Sequence, residues 1–191
     1  MQMESLLNRV KQCDVCHNLP CGANPVFTAG ALSKIVVVGQ APGRIVHETG
    51  IPWNDKSGDN LRSWMGIDKD IFYNTDFISL IPMGFCYPGT GKNGDLPPRK
   101  ECAPLWHQQL LSNMPHVKLV ILAGQYAQRF YLGKKAKSNL TSTVQNFKEY
   151  LPGFFPLPHP SPRNNIWQAK NPWFKIEVLP ELKEEVNQIL S

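Results

Sequence analysis

Short apolar runs alternate with amphipathic stretches along most of the chain. The run "IVVV" at residues 35–38 stands directly before the turn "GQAPG", which predicts a buried parallel strand and the loop at its carboxyl end. The segments "DFISLIPMG", "VKLVILAG" and "GFFPLP" predict three more strands. Helical spacing of apolar residues lies between and around them, in "SLLNRV", "SGDNLRSWMG", "APLWHQQLLSNM", "QYAQRFYL" and "LPELKEEVNQIL". Strands that alternate with helices predict a layered α/β fold with a parallel sheet.

Length and apolar content narrow this picture. A chain of 191 residues is long enough for one sizeable core and short for two, so we expect a single domain over residues 1–191. No apolar run approaches the length of about 18 residues that a membrane span requires. The start "MQMESLLNRVKQCDVC" also lacks the apolar core of a secretory signal. These features predict a cytoplasmic protein with no membrane contact.

The chain is moderately basic, with 20 Lys and Arg against 15 Asp and Glu and a net charge of +5. A basic excess favours a polyanionic partner if it gathers on one face, and otherwise it describes an ordinary solvated surface. Net charge alone leaves both interpretations open.

Four of the five cysteines stand at spacings that suggest ligation. Cys13 and Cys16 form a CxxC pair, 69 residues separate Cys16 from Cys86, and 15 separate Cys86 from Cys102. Disulfides are unexpected in a cytosolic chain. Zinc sites usually show two short pairs, whereas iron-sulfur clusters accept scattered cysteines. By spacing alone, a cluster, a zinc ion and unrelated thiols all remain open.

The loop after the first predicted strand, "GQAPGRIVHETGIPWNDKSGDNL", is long and polar. It matches neither GxGxxG nor a P-loop, so a nucleotide cofactor is poorly supported. Trp53 beside Asp55, with Gln40 on the turn, suits a flat ring that stacks while water is activated next to it. Each residue also has a structural alternative, namely core packing for Trp53 and a turn for Asp55.

The segment "HPSPRN" at residues 159–164 flanks one histidine with prolines on both sides. Proline fixes φ and stiffens the loop around His159, although a purely structural histidine would look the same. This loop follows the fourth predicted strand, and ligands of open α/β sheets bind outside the carboxyl ends of the strands. The loops after the first, second and fourth strands are therefore expected to meet at one edge.

Taken together, "GQAPG", "HPSPRN" and the cysteines resemble the uracil-DNA glycosylase superfamily over roughly residues 10 to 175. The cysteines are similar to those of its iron-sulfur branches, families 4 and 5, and "HPSPRN" is similar to the single-strand-selective monofunctional branch. The resemblance implies a three-layer α/β/α sandwich around a four-stranded parallel sheet. It also implies hydrolysis of the N-glycosidic bond of a flipped, deaminated base in DNA. Uracil is the first candidate for this base, and hypoxanthine and xanthine are the alternatives.

The resemblance assigns roles to particular residues. His159 would donate to the departing base, and Asp55 would activate water, with Gln40 as the alternative because the first motif lacks the usual carboxylate at Gln40 and at Ala41. Base contacts would come from Trp53, Ala41 and Ser79. DNA contacts would come from Ser161, Arg163 and Asn164 of the "HPSPRN" loop. Independently of the resemblance, the basic residues Arg44 and Lys56 near the carboxyl edge of the sheet are expected to meet phosphates.

The resemblance also implies a [4Fe-4S] cluster on Cys13, Cys16, Cys86 and Cys102, with zinc or no metal as alternatives, in a monomer. Because the first motif is altered, a member that binds DNA or damaged bases without cleaving them is the second hypothesis. A small-molecule α/β hydrolase is the weakest, because no GxSxG elbow is present.

Overall fold

The computed structural model describes residues 2–92 and 94–191 of the chain. In chain order the strands are β1 (Ile35–Val38), β2 (Ile78–Leu80), β3 (Thr90–Gly91), β4 (Gly94–Asp95), β5 (Leu119–Ala123) and β6 (Phe154–Leu157). Four of them form one sheet in the order β2-β1-β5-β6, and every neighbouring pair is parallel. The strands β3 and β4 form a separate antiparallel pair.

Helices surround the four-stranded sheet. They are α1 (Gln2–Lys11), α2 (Arg44–Thr49), α3 (Lys56–Met65), α4 (Lys69–Tyr73), α5 (Cys102–Ser112), α6 (Gln125–Leu132), α7 (Leu140–Gln145), α8 (Asn165–Lys170) and α9 (Leu179–Leu190). Short 3-10 turns lie at Gly133–Lys135, Phe147–Tyr150 and Pro162–Asn164, and one π-helical turn precedes α9 at Phe174–Val178. Within the described ranges, no helix combines the length and the apolar character that a bilayer crossing requires.

The sheet is buried on both faces, which explains the unbroken apolar runs in its strands. One face packs against α1, α5 and α6 through residues such as Val36, Val38 and Leu122. The other packs against α3, α4, α7 and α9 through residues such as Ile35, Val37 and Ile121. The predicted three-layer α/β/α arrangement with four parallel strands is thereby confirmed.

Two short features lie outside the strands and helices that the sequence predicted. The helix α2 interrupts the loop after β1 and ends at Gly50, whose φ of 69° is the left-handed geometry that glycine adopts easily. The pair β3 and β4 lies within residues 86–102, where Thr90 pairs with Asp95 and Gly91 with Gly94. This hairpin lies in the segment between β2 and α5.

A buried histidine on α5 ties that helix to the loop after β2. His107 Nε2 lies 3.0 Å from the carbonyl oxygen of Pro82, and His107 Nδ1 lies 2.6 Å from the hydroxyl of Tyr131. Because a carbonyl only accepts, Nε2 carries the proton and Nδ1 accepts from the tyrosine. Burial lowers the pKa of His107 to about 4, so the imidazole is neutral in the folded protein at pH 7.

We expect this imidazole to make the fold sensitive to acid. Unfolded His107 takes up a proton near its ordinary pKa of 6.5 and the folded residue only near 4, so its stabilising effect is complete above pH 6.5 and is lost as the pH falls toward 4. The shift corresponds to roughly 3 kcal/mol. Urea unfolding at several pH values should show a steeper loss of stability between pH 6.5 and 4 in the wild type than in His107→Gln.

The exposed His116 provides the control, because His116→Gln should keep the wild-type slope. Equal slopes for wild type and His107→Gln would contradict the assignment of a buried neutral imidazole.

Candidate active site

A cavity of 560 Å³ opens at the carboxyl edge of the sheet. The loops after β1, β2 and β6 meet there, together with the β3-β4 hairpin and the start of α3. The polar side chains that line it are Gln40, Asp55, Ser57, Thr90, Asp95, His159, Ser161, Arg163 and Asn164. Its apolar lining includes Ala41, Val46, Pro52, Trp53 and Pro82. The structure thus brings most of the predicted site residues into one space.

Two side-chain amides fix the loop that carries His159. Asn164 Nδ2 donates to the carbonyl of His159 at 2.6 Å, and Asn60 Nδ2 on α3 donates to the carbonyl of Pro160 at 2.8 Å. Together with the flanking prolines, these bonds leave the loop few alternative conformations. The role of Asn60 was not visible in the sequence, because 100 residues separate it from Pro160.

The indole of Trp53 lies on the imidazole of His159. Their ring centroids are 5.7 Å apart and their planes differ by 28°. Gly39 makes this approach possible, since a Cβ there would lie 2.5 Å from the indole. Among residues 2–92 and 94–191, Trp53 is the one non-glycine residue with positive φ, at 57°, a conformation that costs a bulky residue about 1–2 kcal/mol. The surrounding structure therefore has to hold Trp53 in place.

The electrostatics of the cavity favour a neutral His159. Burial lowers the pKa of its imidazole, and the charges of Asp55 and Asp95 oppose this shift without cancelling it. A neutral imidazole has one N–H donor and one acceptor. At pH 7 the ring therefore offers a single hydrogen-bond donor.

Asp55 has two functions in the structure. Its Oδ1 accepts from the backbone N–H of Gly58 at 2.9 Å and caps α3. The same carboxylate lines the cavity. The catalytic interpretation and the structural interpretation of Asp55 are therefore compatible.

A second carboxylate, Asp95, enters the cavity from the hairpin. Thr90 Oγ1 donates to Asp95 Oδ1 at 3.3 Å and is itself 2.5 Å from the hydroxyl of Tyr87. The next residue, Leu96, accepts from Gln40 Nε2 at 3.3 Å through its carbonyl oxygen. The sequence did not indicate Asp95, because its strand of two residues carries no periodic signal.

The sequence model of the uracil DNA glycosylase superfamily matches residues 27–183. The chain belongs to this superfamily. The match includes β1 and both motif loops, and it confirms the resemblance and the fold that the resemblance implies. Superfamily members act on DNA, and membership indicates DNA glycosylase chemistry. The iron-sulfur branch stays a prediction, and Cys13 and Cys16 lie outside the matched residues.

Ser79, the predicted base contact on the second strand, is not among the residues that line the cavity. Its side chain is fully buried on β2, where its Oγ lies 2.7 Å from Ser33 Oγ and accepts from the N–H of Gly30 at 3.1 Å. The side chain points from the strand into the protein, rather than along the strand to the sheet edge. The predicted base contact of Ser79 is therefore replaced by a structural role.

Three of the five predicted DNA-contacting residues line the cavity, and two do not. Ser161, Arg163 and Asn164 line it, and Ser161 Oγ accepts from the N–H of Arg163 at 3.3 Å. Arg44 and Lys56 lie outside its lining and are exposed. Arg44 pairs with Glu48 at 2.8 Å, which partly neutralises its charge.

The four predicted ligand cysteines come from the segment that follows α1, the loop after β2 and the first residue of α5. Burial raises the pKa of Cys16, Cys86 and Cys102, the last to about 12, and the other cysteines also influence each of these values. Cys13 and Cys16 pack against the core cluster that contains Cys102. In residues 2–92 and 94–191, however, no group of three or more His, Cys, Asp or Glu side chains is arranged to hold a metal ion.

Gly39→Ala should displace the indole from His159. The added Cβ meets the Trp53 ring, and overpacking of this kind typically costs about 1–3 kcal/mol in the free energy of unfolding. The matched control is Gly153→Ala, where an added Cβ has no neighbour within 4 Å. Urea unfolding of both variants measures the difference, and equal stability of the two would contradict the close contact of Trp53 with Gly39.

Proposed function

We propose that the chain is a DNA glycosylase that hydrolyses the N-glycosidic bond of a deaminated base, with uracil as the first candidate. The observation that carries this proposal is a neutral, partly buried imidazole with two carboxylates and an indole in one cavity of a superfamily member. The cavity volume of 560 Å³ lies within the range of small-molecule sites. A base reaches such a pocket only after it leaves the duplex stack.

His159 stabilises the leaving group in this proposal. Cleavage of a glycosidic bond builds negative charge on the departing base and positive charge on the sugar. A donor that already points at the base oxygen lowers the barrier because it need not reorganise during the reaction. The bonds from Asn164 and Asn60 support this role, since they hold the loop of His159 before any substrate binds.

Asp55 handles the attacking water in this proposal, and Gln40 helps to position it. One oxygen of Asp55 caps α3, which leaves the other available to a water molecule in the cavity. Gln40 donates its amide N–H to Leu96, so its amide oxygen is left as an acceptor. Asp95 is the competing carboxylate, because it lines the same cavity and acts on the same imidazole.

The protein binds DNA as a monomer in this proposal. The DNA lies across the mouth of the cavity, and one nucleotide is flipped into it. Trp53 and Ala41 line the pocket for the base, while Ser161, Arg163 and Asn164 line its rim toward the backbone. Exposed Arg44 and Lys56 add positive charge nearby, and phosphate contacts of this kind weaken as the salt concentration rises.

A second candidate function is DNA or base binding without cleavage. Gln40 and Ala41 carry no charge in the first motif, and this observation favours the second candidate. Cleavage requires that either Asp55 or Asp95 replaces the missing carboxylate, whereas binding without cleavage requires neither.

A [4Fe-4S] cluster on Cys13, Cys16, Cys86 and Cys102 is a separate proposal, with zinc as its alternative. The packing of Cys13 and Cys16 against the core cluster that contains Cys102 supports it, and the protein would have to deprotonate thiols whose pKa burial has raised. Such a group would join α1 to α5 and have a structural role. Anaerobically purified protein should be brown with about four iron atoms per chain, and protein with stoichiometric zinc or no metal would contradict the cluster.

Single-turnover excision from oligonucleotides that contain uracil, hypoxanthine or xanthine tests the proposed chemistry. His159→Ala should lower the rate about a hundred- to a thousand-fold with whichever base is cut, which corresponds to about 2.7–4 kcal/mol. His116→Ala is the matched control and should cut at the wild-type rate. If the wild type cuts none of the three bases but still binds the oligonucleotides, the second candidate function replaces the first.

The same assay separates the carboxylates. Asparagine caps a helix about as well as aspartate, so Asp55→Asn should keep α3 intact. The substitution removes the carboxylate that acts as general base, so it should lower the excision rate about a hundred-fold or more. Asp95→Asn should have a smaller effect, and exposed Asp70→Asn none. If Asp95→Asn is inactive and Asp55→Asn is active, then Asp95 on the hairpin, and not Asp55, activates the attacking water.

A further inference from the structure

A buried arginine on α3, Arg62, contacts the backbone of Trp53, a residue that lines the cavity. The side chain of Arg62 is 7% exposed, and a charge that is buried in this way needs partners. Its Nη2 pairs with Asp59 Oδ1 at 2.5 Å. Its guanidinium also lies 5.2 Å from the ring centre of Phe72 and 5.7 Å from that of Tyr73. Arg62 is outside the cavity lining, so it does not itself meet a ligand there.

Arg62 and Tyr73 together hold two consecutive backbone carbonyls. Tyr73 donates its hydroxyl to the carbonyl of Pro52 at 3.0 Å. Arg62 Nη1 lies 3.4 Å from the Tyr73 hydroxyl and 3.5 Å from the carbonyl oxygen of Trp53. Burial raises the pKa of Tyr73, so the phenol remains a donor. We refer to this arrangement as the Arg62–Tyr73 brace.

The brace acts on a residue whose positive φ is unfavourable for a bulky side chain. Trp53 has φ of 57°, and released from its contacts it would relax toward the negative φ that tryptophan prefers. Gly58 makes room for the held conformation, since a Cβ there would lie 1.7 Å from the carbonyl oxygen of Trp53. Relaxation of Trp53 would carry the indole away from His159.

We propose that Arg62 and Tyr73 are positioning residues of the active site, which act through the backbone of Pro52 and Trp53 to hold the indole on His159. The inference rests on the proposed function in one respect, namely that Trp53 and His159 serve base excision. The competing explanation is that the brace only joins α3 to α4. A test therefore needs a signal from His159 as well as a measure of stability.

The removal of one hydroxyl provides this test. Tyr73→Phe deletes the donor to Pro52 and keeps the aromatic ring. Tyr150→Phe is the matched control, because Tyr150 likewise donates its hydroxyl to a backbone carbonyl, that of Lys135, at the same 3.0 Å and outside the cavity lining. Tyr150 is buried and Tyr73 is half-buried. Three quantities are measured in the full chain, namely the thermal midpoint, the NMR shifts of the His159 ring protons and the single-turnover excision rate. Trp53→Ala supplies the reference shift for a ring without the indole.

Tyr73→Phe should move the His159 resonances part of the way toward the Trp53→Ala values and lower excision by roughly ten-fold or more, since small misplacements of catalytic groups are costly. Tyr150→Phe should change the midpoint by a similar amount and leave the resonances and the rate unchanged. Arg62→Lys, which keeps the charge for Asp59 but not the planar fork, should move the resonances in the same direction as Tyr73→Phe.

Unchanged His159 resonances in Tyr73→Phe would overturn the proposal, and so would equal shifts in Tyr73→Phe and Tyr150→Phe. If the wild type excises no base, the proposed function fails, and the resonances alone then decide whether the brace positions Trp53.

Discussion

The contact between the indole of Trp53 and the imidazole of His159 joins the loop after β1 to the loop after β6. These two strands are not neighbours in the sheet, because β5 lies between them. The contact exists only because Gly39 has no side chain and because the backbone of Trp53 accepts a positive φ. Asp55 immediately before α3 and Asp95 on the hairpin line the same cavity, and both carboxylates act on the imidazole of this pair.

Burial has different consequences for two histidines of this protein. His107 satisfies both ring nitrogens inside the protein and supports the loop after β2, so its neutral form is a matter of stability. His159 is also kept neutral by burial, but it faces a cavity that the carboxylates of Asp55 and Asp95 line as well. The first imidazole links elements of the fold, and the second is free to meet a ligand. The difference lies in the partners of each ring and not in the burial itself.

The strands and the long helices could be predicted from sequence because they repeat a signal over several residues. The run at residues 35–38 and the spacing of Leu61, Trp64 and Met65 are examples. The hairpin could not be predicted, since its strands are two residues long and its glycines also suit a plain loop. The short helix α2 was missed for the same reason.

The candidate site was predictable where a motif marked it and not where distant residues complete it. His159, Trp53 and Asp55 stand in recognisable segments and reach one cavity. Asp95, Asn60 and Arg62 act through contacts that only the folded chain creates, and none of them differs in sequence from an ordinary surface residue. The prediction for Ser79 was wrong in the opposite direction, because a polar residue inside a buried strand can find its hydrogen-bond partners within the core.

The central claim is that His159 is held as a neutral donor beneath the indole, and its titration tests this most directly. NMR of histidine-labelled protein follows the His159 ring from pH 4 to 8, with His159→Gln to assign the signal. The account predicts a pKa below the ordinary value of 6.5 in the wild type, and a pKa closer to 6.5 in Trp53→Ala, where water reaches the ring. A wild-type imidazole that titrates at or above 6.5 would contradict it.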